Sequence, residues 1–414
     1  MGFEQALSGL TAASQNLDTI GNNIANASTI GFKEVRAEFA DVYAASLGGA
    51  TSTQIGIGTA VAAIAPQFTQ GNITTTGNPL DIAINGSGFF REVNNGITSY
   101  SRDGQFSLNS SGQIVNTEGA QLTGYPADAS GNITSAPPVP LTLSQAPVPP
   151  QVTSTSALSL NLDSGATPIP ATTTFSPANA ASYNSSTSMT VYDTQGNAHT
   201  ATYYFVNTSA NNWNVYATGD GTQLAGTGGA GTPIGTLAFS TSGTLTPATD
   251  VTMNLSMPVT TGAANPLTFS TTFPVASTSQ YGVPFSVSAN TQNGYATGQL
   301  AGFSIGKDGI ISGRYTNGQT RAQGQIALAN FTNPQGLIAQ GGNAFAESAA
   351  SGQPVIGAPT SGSMGTLQSG ALESSTVDLT TELVNMITAQ RVYQANAETV
   401  KTQDQVQQTL MNLR

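Results

Sequence analysis

The sequence predicts an α+β fold that is mostly β: N- and C-terminal helices form a coiled-coil-like pair, with two β-rich domains between them, the outer one inserted in the inner one. Three observations carry this. Apolar residues recur at a 3–4 helical spacing only near the two ends. Between the ends, Asn-Gly or Asp-Gly pairs stand at 85–86, 95–96, 103–104, 220–221, 293–294, 308–309 and 317–318, which is the sequence signal of hairpins. A proline-rich run from Pro137 to Pro150 marks a linker between two β segments.

At the N-terminus, Phe3, Leu7, Leu10, Leu17 and Ile24 keep the spacing, with Ser14 and Gly21 at intervening seam positions. Ala6, Ala13, Ile20 and Ala27 widen the stripe to one helical face. This gives a helix over 1–30, followed by an extended linker over 31–70. Residues 71–144 are assigned to the first part of the inner β domain and 145–285 to the inserted outer domain. Within the insertion, Ser188–Tyr192 and Ala201–Val206 alternate around Gln195-Gly196-Asn197, a hairpin pattern. Residues 286–360 complete the inner domain. Its two parts share one spacing: Phe106-Ser107-Leu108 to Gly112 and Ile114, and Phe303-Ser304-Ile305 to Gly309 and Ile311. A recurring common hairpin and a genuine pair of matching flanks both explain it.

Residues 361–414 form the C-terminal linker and helix. Ser375 and Asp378 supply a capping signal. Leu379, Leu383, Met386, Tyr393, Ala397 and Val400 form the stripe, which then drifts to Val406, Leu410 and Leu413. Such stripes are thin, and isolated helices of this kind are marginal in water. They either pair within one molecule or zip to each other and to copies from neighbouring molecules.

Composition narrows the function. Charged residues are only 7% of the chain, against about 25% in an ordinary domain, and no Lys or Arg occurs between Arg102 and Lys307. The net charge of −11 argues against nucleic acid, which needs clustered cations. The absence of cysteine excludes disulfide staples and thiolate metal sites. No apolar run reaches the roughly 18 residues of a membrane span, so no membrane insertion is expected. Met1 to Leu10 lacks a signal-peptide pattern, so if the chain is exported, it is exported without a cleaved signal peptide.

Catalytic groups are scarce. His199 is the only histidine and reads as an exposed or satisfied strand residue. Asp193-Thr194-Gln195-Gly196-Asn197 reads as a turn and not a calcium loop. The glycine run from Gly226 to Gly231 lacks the Lys of a phosphate loop. Trp213 reads as core and not as a sugar platform. No enzyme activity, cofactor or metal is expected.

Several motifs then resemble the flagellar rod and hook axial proteins. The N-terminal stretch from Ser8-Gly9-Leu10 to Asn22-Asn23-Ile24-Ala25-Asn26 is similar to that family's helix. It leads into Thr29-Ile30-Gly31-Phe32-Lys33, similar to the family's outward turn. Asn78-Pro79-Leu80-Asp81, Gly88-Phe89-Phe90 and Ser101-Arg102-Asp103-Gly104 resemble its first β domain. Leu367 to Ser375, Leu379 to Leu383 and Ala389 to Asn396 resemble its C-terminal helix segment. The long insertion, with Val191-Tyr192-Asp193 and Gln195-Gly196-Asn197, favours the hook branch over the distal-rod branch; a surface adhesin is the more remote reading. The resemblance implies a helical homopolymer in the hook and basal body, extracellular and exported by the type III apparatus. It implies contacts with flagellar rod, hook cap and hook-filament junction proteins. It also implies a self-assembly interface of Leu7, Leu10, Leu17, Ile24, Leu379, Leu383, Met386, Tyr393 and Val400. The motif turn comprises Asn22, Asn23, Asn26, Gly31, Phe32 and Lys33.

Overall fold

A computed structural model describes residues 2–42, 56–226, 229 and 231–412. Part of the expected 31–70 linker, part of the glycine run, and Leu413 lie outside the described residues. The chain divides into two compact units, one of residues 1–145, 302–314 and 320–414, the other of 146–301 and 315–319.

In the first unit, helix α1 (Gly2–Ala25) and helix α2 (Leu379–Asn412) carry the two ends. α2 starts where the capping signal places it: Asp378 Oδ1 accepts hydrogen bonds from Thr380 N (2.8 Å) and Thr381 N (3.1 Å). The stretch expected as an extended linker carries an antiparallel ladder, β1 (Val35–Val42) on β2 (Gly58–Pro66), with a bulge at Glu38/Phe39. Thr59, Val61 and Ile64 supply β-branched residues to β2.

The β body of this unit follows with β3 (Ile73–Thr75), β4 (Ile82–Asn85), β5 (Phe89–Asn94) and β6 (Ile97–Ser101). Asn95 and Gly96 both have positive φ (50° and 84°), the conformation that a two-residue hairpin between β5 and β6 requires. The main sheet runs Ile310–Tyr315, Thr320–Ile326, Gln121–Pro126, β5, β6, Ala344–Ala346, Ile338–Gly341. Segments from both sides of the inserted stretch are thus neighbours: Gln325 is in register with Tyr125. The two similarly spaced flanks are hairpins in both copies, Ser107–Leu108 with Ile114–Val115 and Leu300–Ile305 followed by Ile310–Tyr315.

Its core packs Ile82, Ile84, Phe90, Phe106, Ile114 and Leu122. Beside it lies an aromatic cluster in which Phe89 meets Phe68 edge-on at 5.1 Å and Tyr100 meets Phe331 at 4.8 Å. The proline-rich run is not a free linker over its whole length. Val139–Pro140 pairs with Thr123 and Gly124, and Leu141 and Leu143 are buried in the core. Proline is tolerated because this strand is short and needs only part of its ladder.

The second unit holds two sheets around one core. One is centred on Thr155–Asp163, which pairs with Leu267–Phe273 in parallel and with Ser286–Gln292 antiparallel. The other orders Ser185–Tyr192, Ala198–Ser209, Asn212–Gly219, Gly235–Phe239 and Leu245–Thr246. Leu158, Leu160, Tyr203, Phe205, Trp213 and Phe273 from both sheets share the core. The unit runs beyond the expected boundary at 285, because the Ser286–Gln292 strand completes the ladder of Thr155–Asp163.

Candidate assembly site: the helix pair and its buried charges

α1 and α2 run antiparallel. At one point Asn23 Nδ2 donates to Glu382 Oε2 at 3.3 Å; further along, Gly9 lies so close to Asn396 that a Cβ on Gly9 would sit 2.9 Å from its amide. The facing sides of the two helices carry mostly small or polar residues at heptad intervals: Ala6, Ala13 and Ile20 on α1, and Glu382, Ala389 and Asn396 on α2. Small side chains let the backbones approach; the penalty is that little apolar area is buried.

The stripe residues expected at the interface are not brought together in the single chain. Leu7, Leu379, Leu383 and Tyr393 are exposed, by 47%, 48%, 50% and 40%, so they face outward. Leu10, Leu17, Ile24, Met386 and Val400 are half-buried. The outward set also includes Val384 and Ile387.

Asn23 is the pin at the base of the pair. Beyond its bond to Glu382, its Nδ2 donates to Val35 O (2.9 Å) and its Oδ1 accepts from Val35 N (3.0 Å). One buried amide thus ties α1 to β1 and α2. Asn26 N donates back to Asn22 O (3.1 Å) as α1 ends.

The turn that follows enters the β body through Gly31, whose φ is +69°. A Cβ there would lie 2.7 Å from the Arg102 carbonyl carbon, so glycine is needed for both conformation and space. Gly31 N donates to Glu373 O at 2.8 Å, and Phe32 O accepts from Thr376 N.

Lys33 then enters a buried cluster. Its Nζ lies 2.6 Å from Glu373 Oε1 and donates to Thr69 O at 2.6 Å. Arg102 reaches Glu373 Oε2 at 3.3 Å, donates to Gly86 O at 2.8 Å, and stacks over the Phe89 ring at 5.4 Å. All three side chains are almost fully buried. Burial pushes the Lys33 ammonium below its ordinary value, the Glu373 carboxylate works against that, and Arg102 adds to it. Two cations share one carboxylate, so Glu373 is the keystone.

Arg102, Glu373 and Glu382 are absent from the site residues expected from sequence, although all three lie within the family-like motifs. The available signal was rarity: in a chain with 10 Lys and Arg residues, each cation within a motif is a candidate for structural use.

The second unit shows where the scarce titratable groups went. Trp213 is core. His199 bonds Asp220 Oδ2 through Nδ1 at 2.7 Å and Asp193 Oδ2 through Nε2 at 3.2 Å. Asp193 also accepts from Gln195 N, Asn197 N and Thr261 Oγ1, so 193–197 is a closed turn. Among the described residues, no group of three or more His, Cys, Asp or Glu is placed to hold a metal ion, and no helix is long and apolar enough to cross a membrane.

Four family models match this chain in order. Flagella basal body rod protein matches 3–33, and the Flagellar hook protein FlgE/F/G D1 domain matches 83–160. The Flagellar basal body protein FlaE D2 domain matches 161–295, and the Flagellar basal body rod FlgEFG protein C-terminal model matches 368–413. The chain is 45% identical over 430 residues to the flagellar hook protein FlgE of Escherichia coli K12, covering 100% of both chains. It is 46% identical to that of Salmonella typhimurium LT2, again over 100% of both, and 34% identical to that of Rhizobium meliloti, over 99% and 97%. A crystal structure of the Helicobacter pylori flagellar hook protein FlgE2 has the same fold, with TM-score 0.51 at 16% identity, covering 73% of this chain and 100% of that one.

Proposed function

Since this chain belongs to the flagellar hook protein family, we propose that its copies polymerise through the terminal helices into the hollow, curved and flexible tube of the hook. The chain is a structural subunit of the flagellar axis. The tube acts as a universal joint, passing torque from the rod to the filament. Rod, hook cap and hook-filament junction proteins are its neighbours, and the type III apparatus exports it. The distal-rod alternative is not favoured, because the full-length relatives are hook proteins and the 161–295 segment matches a domain model of its own.

One observation carries the polymer reading: each helix turns apolar residues outward while the seam between them is built mostly of small and polar ones. Exposed Leu7, Leu379, Leu383, Val384 and Ile387 gain about 25 cal/mol per Å² when neighbouring copies cover them. Helical polymers arise when such contacts are heterologous and do not close. Buried charges tie the helix pair to the β body, so movement of one is transmitted to the other.

Electron microscopy and sedimentation of the full-length chain over a salt and concentration series provide the test. Tubes whose formation buries the helix stripes, read by hydrogen exchange in α1 and α2, support the reading. A chain that stays monomeric under every condition, with both helices unprotected, overturns it.

A further inference from the structure

Deepening that reading, and resting on it, we propose that the groove between α1, the β1–β2 ladder and α2 receives the outer face of α2 from a second copy, with Arg391 of the incoming copy set against Glu34 and Glu382. The groove encloses about 870 Å³ and is lined along α1 from Gln5 to Asn23. Those residues span roughly 27 Å at 1.5 Å per residue. Ala13, Ile20, Val35, Ala37 and Val392 give it apolar wall.

Its charges are unbalanced. Glu34 and Glu382 both line it, with Arg36 the one cation among its described lining residues. Glu382 is held by the Asn23 and Asn385 amides. The Glu34 carboxylate has no hydrogen bond or ion pair among the described residues; burial, then the Glu382 charge, raises it above its ordinary value, and Arg36 offsets this only in part. A half-covered carboxylate beside another carboxylate is stabilised by one more cation.

The chain itself supplies that cation on a different surface. Arg391 is exposed and forms no ion pair among the described residues. It continues the line of Leu383 and Ile387 at four-residue intervals, and both of these are half exposed. It lies two positions from the buried seam residue Ala389, about 200° round the helix, so the seam does not cover it. An apolar pair followed by a cation matches an apolar groove followed by a carboxylate pair. Groove and stripe occupy different surfaces, so one copy uses both at once, head to tail, and growth does not close on itself.

Charge exchange in the full-length chain tests this, with pelletable polymer measured against concentration and a thermal melt as the folding control. R391E and E34K should each raise the concentration for half assembly by about tenfold or more. The double variant E34K/R391E should return close to the wild-type midpoint. An equimolar mixture of the two single variants should also co-assemble. In alternation, the reversed stripe of an R391E copy meets the reversed groove of an E34K copy, and the native stripe of the E34K copy meets the native groove of the next R391E copy. Wild-type assembly with R391E unaffected overturns the inference alone, and so do impaired single variants that neither the double nor the mixture rescues. A wild-type chain that never assembles overturns the polymer reading and this inference with it.

Discussion

Lys33 Nζ lies 2.6 Å from Glu373 Oε1, a contact between residues 340 positions apart that joins the turn after α1 to the strand before α2. The carboxylate is shared with Arg102, so the three groups form a keystone with two cations around it. Removing the Glu373 charge from this cluster leaves both cations buried without compensation, which costs about 3–5 kcal/mol.

The partners are therefore unequal. Glu373→Gln strands two buried cations, while Lys33→Met leaves Arg102 and Glu373 as a balanced pair. Urea unfolding of the first unit should show the larger loss for E373Q, on the order of 3–5 kcal/mol, and a clearly smaller one for K33M. Equal losses would show that net charge is not what the cluster balances.

From α1, Asn23 satisfies groups on β1 and α2 with one amide. Asn23→Ala leaves Val35 N–H and C=O without their partner and should cost about 2–4 kcal/mol. Hydrogen exchange should show faster opening of β1 and the start of α2, while the second unit is unchanged.

Leu383 is half exposed in the single chain. Leu383→Asp should therefore leave the melting temperature of the unassembled chain within a degree or two of wild type. In the polymer the same change buries an unpaired charge, so tubes should be lost. A fall in melting temperature together with loss of tubes would place Leu383 inside the monomer's own core.

Glu92 is buried on β5, with Oε2 accepting from Asn116 Nδ2 at 2.7 Å. Burial, with the Asp103 charge adding to it, pushes its carboxyl up to about 8. The folded value exceeds the unfolded one near 4.5, so the folded state is penalised as pH rises from 4.5 to 8, by about 1.4 kcal/mol per pH unit. Glu92→Gln should remove this slope and raise stability at neutral and alkaline pH. Melts between pH 5 and 9 check it.

His199 works in the opposite direction. Burial disfavours its imidazolium, but bonds to Asp220 and Asp193 outweigh that and raise it above 6.5. Its contribution is fully present below about pH 6.5 and is lost as pH rises through the folded value. Asp193 and Asp220 are held below the ordinary carboxylate range, hydrogen bonds overcoming burial, so theirs is present above 3.8 and lost in acid. The second unit of wild type should lose stability through neutral and alkaline pH relative to His199→Gln, whose profile should be flat there.

The sequence by itself determined the class of fold and the family. Helical periodicity confined to the two ends, turn pairs such as Asn95-Gly96 and the Asp378 cap are local signals, and local signals survive without tertiary context. The apolar positions of both helices were also legible. Which of them face inward was not, because a 3.6-residue period gives a face without naming its partner. The leucines looked like the seam, yet alanines occupy much of it, since close helix approach at Gly9 and Asn396 leaves room only for small side chains. The ladder of β1 on β2 is not legible in the sequence, because its pairs, such as Val35 with Pro66, join residues well separated along the chain. Only the tertiary structure decided that Lys33, Arg102 and Glu373 meet: burial and pairing are set by the arrangement in space of distant segments, and the energy of a charge depends on that arrangement more than on its neighbours in sequence.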